Sequence, residues 1–220
     1  EGYKTQEIED GLIAAGLSIQ KSELQEAAQV SANLAYELFG YRFLKELPSR
    51  ATIDGFLFPD TYFFDEESAL NDIVGKMLGN FDKKITDAMR AKYKERGKNL
   101  YEIVVMASLL EKEVRTLEDM KIVSGILWKR MAIGMPLQVD ATLVYITGKK
   151  TGEITNEDKQ IDSPYNTYLN RGLPPTPIAN PGLNAIMASI EPTETDYLFY
   201  LSTPAGETIF AVTNDEHNRN

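Results

Sequence analysis

The chain has 220 residues and a net charge of −10, from 33 acidic residues against 23 basic ones, which argues against nucleic acid as a partner because that needs a basic footprint. Cysteine is absent and His217 is the sole histidine, so no metal centre, no cofactor and no Cys- or His-based nucleophile is expected, and catalysis would rest on carboxylates, hydroxyls and amides. The length suits one domain, or one with a small satellite, and no apolar run reaches the roughly 18 residues that span a bilayer.

Residues 1–50 read as a small helical region. Thr5 is expected to cap a first short helix with Ile8, Leu12 and Ile13 inward and Gly16 as its stop. Ser22 with Gln25 forms a capping box for a second helix, and Leu34 and Leu38 mark a third. Next comes Gly55-Phe56-Leu57-Phe58-Pro59-Asp60-Thr61-Tyr62-Phe63-Phe64, too aromatic and proline-broken for a helix interior. Its residues suit an extended segment plugged into the core, or else a platform on which sugars stack. Ser68 is expected to cap one long amphipathic helix in which Ile73, Met77, Phe81, Ile85 and Met89 recur every four residues, ending at Gly97.

The run Met106-Ala107-Ser108-Leu109-Leu110-Glu111-Lys112-Glu113 organises the rest. Asn99 with Glu102 makes a capping box for its helix. At about 100° per residue, Ile103, Ala107, Leu110 and Val114 share a core face. Glu111 and Glu113 then flank that face about 160° apart, so they cannot act together on one bond. Glu113 follows Leu109 and Leu110 by a turn and has Met106 on its flank, whereas Glu111 lies over Ala107 and Ser108. A carboxyl against apolar side chains holds its proton more tightly, which makes Glu113 the better general acid of the two. A solvated charge cluster at a helix end is the competing reading.

Thr116 starts the next helix, with Met120, Val123, Leu127 and Met131 inward and Gly134 at its end, so that Glu113 sits at a corner where a groove can open. The stretch 135–142 reads as irregular, leading into a short turn through Tyr145, and 147–162 as a polar loop or hairpin. Proline density over 163–182 fixes backbone shape without regular structure, which suits either a structural loop or a wall of amides and hydroxyls facing a ligand. Asn180 and Pro181 read as N-cap and first residue of a helix running to about Glu191. Residues 197–201 and 208–212 read as a hairpin joined around Pro204-Ala205-Gly206. The fold class expected is α+β, mainly helical, with a small antiparallel β element near the C-terminus.

Five motifs in this order resemble the YceG-like family of endolytic murein transglycosylases: Gly55 to Tyr62, Ala107 to Glu113, Gly134-Met135-Pro136-Leu137-Gln138-Val139-Asp140, Ser163-Pro164-Tyr165-Asn166-Thr167-Tyr168, and Gly172-Leu173-Pro174-Pro175 through Asn180-Pro181-Gly182. The closing Glu216-His217-Asn218 resembles the family's last motif as well. Val114 stands where the family usually has Thr, Val139-Asp140-Ala141-Thr142 replaces a common Ser-Asp-Pro-Thr, and Thr176 replaces a frequent Gly. The resemblance implies a bacterial enzyme with a catalytic domain over 51–220. That domain would be held outside the cell membrane by a single upstream helix and would act on peptidoglycan glycan strands, with wall-synthesis proteins as further partners. The opening Glu1-Gly2, in place of Met, fits an expected upstream segment.

By the same resemblance the catalytic glutamate is Glu113. Glu111, Gln138, Asp140, Tyr165, Asn166, Thr167 and Asn180 become candidates to bind sugars or support the acid. Ordinary glycosidases flank the bond with two carboxylates. A lytic transglycosylase instead lets the sugar's own 6-hydroxyl attack C1, so one carboxyl can serve as acid and then base. A silent peptidoglycan-binding module or a scaffold of the wall-synthesis machinery is the alternative.

Overall fold

The computed structural model describes residues 1–203 and 206–219. Ten α-helices and one two-stranded sheet are found among them, an α+β fold that is mainly helical. The first helix, α1 (Thr5–Ala14), begins one residue earlier than the sequence suggests. Lys4 precedes it, and Thr5 instead donates its hydroxyl to Asp54 at 2.7 Å. Ile8 and Leu12 pack on the core, but Ile13 is exposed.

The expected capping box of α2 (Glu23–Ala28) is replaced by a distant one. Ser22 lies at φ 74° and makes no side-chain cap, while the buried Glu9 of α1 accepts from Ser22 N at 2.7 Å, Leu24 N at 2.8 Å and Gln25 Nε2 at 3.0 Å. Burial alone would raise the Glu9 pKa, but these bonds to its charged form outweigh it and hold the carboxyl below its usual value. In α3 (Ala32–Phe39) Ser31 is the cap, and the alanines face inward while Leu34 and Leu38 are exposed.

Residues 55–64 divide at Pro59. Phe56, Leu57 and Phe58 are buried, Phe56 meeting Phe43 and Phe81 at ring distances of 5.8 and 5.2 Å. Beyond the proline, Tyr62 and Phe64 stack on each other at 5.7 Å and only partly enter the core. Gly55 takes φ +88°, and a Cβ there would stand 2.4 Å from Pro177, so the proline-rich loop seats directly on this segment.

The expected long helix is two: α4 (Leu70–Lys84) and α5 (Asp87–Glu95). Thr86 breaks the run by turning extended and accepting from Met89 N, which makes it the cap of α5; Ser68 lies outside, accepting from Asp65 N. Arg90 of α5 is buried and paired with Glu46 and Asp82.

The Asn99 capping box holds, and α6 (Leu100–Glu113) follows. Every residue from Ile103 to Leu110 is buried, so the core face is wider than the periodic one and the helix is the axis of the molecule. Each such side chain taken from water contributes about 1.5–3 kcal/mol when large. The polar Ser108 is satisfied by donating to Val105 O and accepting from Ile178 N. Thr116 caps α7 (Leu117–Ala132), which stops before Gly134 at φ +69°; Met120, Val123 and Leu127 are buried as expected, Met131 only partly, and Ile126 and Trp128 are buried as well.

Residues 140–147, read as irregular and then a turn, are helical instead: α8 (Asp140–Thr147) starts at Asp140 and ends on Gly148 at φ +71°. The polar stretch after it makes two short 3-10 turns held by the Lys149–Asp158 pair at 2.7 Å. Residues 163–182 carry no regular element. Gly182, not Asn180, precedes α9 (Leu183–Ile190), which packs along α6 and α7 and donates Ser189 Oγ to Ile103 O at 3.0 Å.

Strands β1 (Phe199–Ser202) and β2 (Thr208–Ala211) pair antiparallel, Phe199 opposite Ala211 and Ser202 opposite Thr208. They form the hairpin expected; its turn at Pro204 and Ala205 lies outside the described residues. A last short helix, α10 (Asn214–His217), packs on both strands.

Candidate active site

Glu113 is the final residue of α6. The extended Val114 then turns the chain away toward α7, leaving the carboxyl at the rim of a cleft of about 580 Å³. Two segments close on it. The Tyr200 hydroxyl on β1 donates to Glu113 Oε2 at 2.9 Å, and Ala141 N, in the first turn of α8, reaches Oε1 at 3.4 Å. Glu113 keeps part of its surface on the cleft, yet its carboxyl is shut in among these groups. Burial is the main cause that pushes its pKa up to about 7, with the nearby Asp140 adding to it, while the bonds from Tyr200 and Ala141 pull the other way. Tyr200 itself is raised well above its usual value by burial and by the Glu113 charge, so it remains a donor.

A second cavity of about 320 Å³ continues past the acid, and the two share Lys112, Glu113 and Ser202. Glu113 therefore stands along a groove with room on both sides of it. Gln138 and Asp140 line the larger cavity. Gln138 is held at φ +55°, an unusual left-handed position for a side-chain-bearing residue that stores strain next to the acid. Asp140 accepts from the Tyr168 hydroxyl at 2.5 Å.

Thr167 and Asn166 stand behind the wall. The buried Thr167 pins the strained loop, its carbonyl accepting from Gln138 N at 3.0 Å and its hydroxyl from Val139 N at 3.0 Å. Asn166, also buried, donates to Lys159 O and Ile161 O and accepts from Tyr168 N, which fixes the backbone that carries Tyr168. Tyr165 packs on Tyr145 at 5.0 Å and bonds Thr176 at 2.7 Å.

Glu111 leaves the opposite side of α6. Its Oε2 accepts from Gly182 N at 2.9 Å, and burial, the largest influence, raises its pKa. Next to it Lys112 donates to Gly2 O at 2.9 Å, Gly2 N donates to Asn180 O, and Asn180 N donates to Tyr3 O. Asn180 is buried, with its side-chain oxygen accepting from Leu57 N at 2.9 Å and its Nδ2 donating to Tyr3 O. Glu111 and Asn180 thus join four segments of chain, and Glu111 also lines the smaller cavity together with Glu113.

Sequence reasoning missed Tyr200, Tyr168, Arg130 and Lys159 of the cleft wall. Tyr168 closes a motif already singled out, so membership alone could have flagged it. Tyr200 is 87 residues from Glu113 and carries no local signal. The buried Arg130 clamps the wall from behind, donating to Leu198 O and Leu137 O, each at 2.7 Å.

A separate cleft of about 650 Å³ lies between α1 and residues 57–64, lined by Phe58, Tyr62, Phe64 and Asp60 among others. It is larger, but the carboxylate among its aromatic residues is unsuited to acid chemistry: hydrogen bonds from Asn80 and Thr61 hold Asp60 below its usual pKa, and Glu1 and Glu7 are the other carboxylates of the lining. Among the described residues no cluster of three or more His, Cys, Asp or Glu side chains could hold a metal ion.

The model of the YceG-like family matches residues 1–220. The chain is 36% identical over 203 residues to the endolytic murein transglycosylase of Bacillus subtilis, covering 87% of this chain and 56% of that protein. It is 33% identical over 183 residues to the endolytic murein transglycosylase of Streptococcus pneumoniae, covering 80% of this chain and 33% of that one. The chain therefore spans about half or less of the length of these curated relatives. A crystal structure of a yceG-like protein from Listeria monocytogenes superposes with a TM-score of 0.87 at 29% identity, over 100% of this chain and 73% of that one.

Proposed function

The chain belongs to the YceG-like family, and on that premise we propose that it is an endolytic peptidoglycan lytic transglycosylase with Glu113 as its single acid and base. The observation that carries the reading is a carboxyl with a pKa of about 7 placed where two cavities meet. A groove extending to both sides of the acid suits cleavage within a strand. The names of the relatives supply the substrate class.

In this mechanism the MurNAc–GlcNAc bond lies over Glu113. The neutral carboxyl gives its proton to the bridging oxygen as the bond from that oxygen to C1 breaks, and positive charge spreads over C1 and the ring oxygen. Oε2 is engaged by Tyr200, which leaves the loosely held Oε1 to carry the proton. The resulting carboxylate then accepts the proton of the 6-hydroxyl as O6 bonds to C1. This closes a 1,6-anhydro ring and restores the acid with no water consumed. Proximity favours O6, which is already tethered to the reacting sugar. Gln138 and Asp140 position sugars on the larger side.

A place outside the cell membrane, with an upstream tether and wall-synthesis partners, belongs to the same reading. No helix among the described residues is long and apolar enough to cross a membrane. Digestion of purified sacculi in heavy-oxygen water tests the reaction: mass spectrometry should find anhydro ends without label. A labelled reducing MurNAc end as major product would mean hydrolysis, with Asp140 as the base, and release of no fragments would leave a binding or scaffold protein.

A further inference from the structure

The C-terminal turn α10 and the residue after it line the larger cavity with Asn214, His217 and Asn218, as the 138–140 loop does with Gln138 and Asp140. Short as it is, this turn is held firmly. Thr213 Oγ1 accepts from Glu216 N at 3.2 Å, and the Glu216 carboxylate accepts from Val212 N at 2.9 Å. The His217 ring stacks on Phe199 at 5.4 Å, and the Arg130 guanidinium lies 5.0 Å from the centre of that same phenyl ring. The imidazole is therefore fixed in direction as well as place.

Its two nitrogens differ. Nδ1 is buried and has no hydrogen-bond partner among the described residues, a state not shared by Nε2 of this cavity-lining ring. A proton on Nδ1 would be a buried donor without an acceptor, so the neutral ring carries its proton on Nε2. Nε2–H is then a donor available to whatever fills the cavity. The amide side chains of Asn214 and Asn218 line the same cavity, each offering a donor and an acceptor. Such a set of neutral groups matches an amide better than a carboxylate, for which the lysines of the same cavity are the natural partners.

Resting on the peptidoglycan reading above, we propose that His217, supported by Asn214 and Asn218, receives the 2-acetamido group of an N-acetylated sugar, with Nε2–H donating to its carbonyl oxygen. Every sugar of such a strand carries this group on the carbon next to C1, so a strand laid past Glu113 brings one within reach of the wall at a fixed distance from the bond to be cut. His217 thereby sets register along the groove and selects for N-acetylation.

The test uses peptide-free glycan strands, fully N-acetylated or chemically de-N-acetylated, with the wild type, His217→Phe and His217→Gln. Phenylalanine keeps the ring stack on Phe199 and removes both nitrogens; glutamine restores an N–H donor. His217→Phe should raise KM on N-acetylated strands about three- to tenfold, the worth of one neutral hydrogen bond, with kcat within about twofold. It should also lose most of the wild-type preference for N-acetylated over de-N-acetylated strands, and glutamine should recover part of that preference. An unchanged KM, a preference kept intact in the Phe variant, or a defect confined to strands that bear peptides would overturn the proposal. If the wild type cuts no strand, the functional reading fails by itself. The wall is then decided by calorimetry with N-acetylated against de-N-acetylated oligosaccharides: weaker binding of only the former by His217→Phe upholds it, and equal binding overturns it.

Discussion

Glu111 and Glu113 leave the same end of α6 two residues apart and take different partners, although both line the smaller cavity. Both carboxyls are pushed toward the neutral form by burial. Glu111 is tied to the backbone of Gly182, in a joint that also gathers Lys112, Gly2 and Asn180. Glu113 is tied chiefly to one side chain, Tyr200, and alone of the two borders both cavities. A raised pKa is thus shared by an anchor and by an acid, and the partners, not the shift, tell them apart.

The largest effect expected is at Glu113. Glu113→Gln keeps size and loses the transferable proton, so strand cleavage should fall at least about a hundredfold with an unchanged circular dichroism spectrum. The same variant carries a stability signature. Because the folded carboxyl titrates near 7 and its ordinary value is 4.5, the folded state holds more protons than the unfolded one between those values. Stability contributed by the neutral group is complete below 4.5 and is lost as pH rises through about 7. The melting temperature of Glu113→Gln should therefore gain on that of the wild type as pH climbs from about 4.5 to about 7 and level off above that. Near-normal cleavage by Glu113→Gln alongside an inactive, folded Glu111→Gln would reverse the comparison.

Tyr200→Phe comes next. Losing a bond that favours the charged form raises the Glu113 pKa further. The alkaline limb of the kcat/KM profile, where the acid loses its proton, should therefore move up, and the plateau should drop about tenfold, equivalent to ~1.4 kcal/mol. A limb that stayed in place would remove Tyr200 from the acid's environment. Glu111→Gln keeps an acceptor for Gly182 N and should cost far less cleavage than Glu113→Gln. Glu111→Ala leaves that N–H unpaired and should lower stability by about 1–3 kcal/mol in urea titration, with kcat/KM within about threefold. The smallest effect, none, is expected from EDTA in a cleavage assay, since the chain offers no metal-ligand spacing such as His-Glu-x-x-His. Activity lost to EDTA and restored by a divalent ion would contradict it.

That the two carboxyls leave different flanks of α6 was legible in the sequence, because it follows from helical geometry; the partners that tell them apart, Gly182 and Tyr200, come from distant segments and were not. The caps at Asn99 and Thr116 were legible too, where donor and acceptor are three residues apart. What escaped lies further off or is hidden by pattern. The four-residue apolar period runs unbroken through Ile85 to Met89, although Thr86 turns the chain between two helices; its own capping signal was overridden by the periodicity. The helix at Asp140 hides because it is eight residues long and follows a proline-marked loop. Glu9 caps a helix 13 to 16 residues away, a contact made by folding. Asn180 has the chemistry of a cap and spends it instead on Leu57 and Tyr3.

The enclosure of α6 from Ile103 to Leu110 restricts how this protein can change. A rod held on all sides cannot turn or slide to present its terminal carboxyl elsewhere without opening voids along its whole length. Adaptation to a different strand is therefore left to the groove's edges: the 138–140 loop, β1 and the C-terminal turn. A small molecule that grips only the acid would find little there to distinguish one such protein from another. Discrimination would have to come from what it touches on those edges.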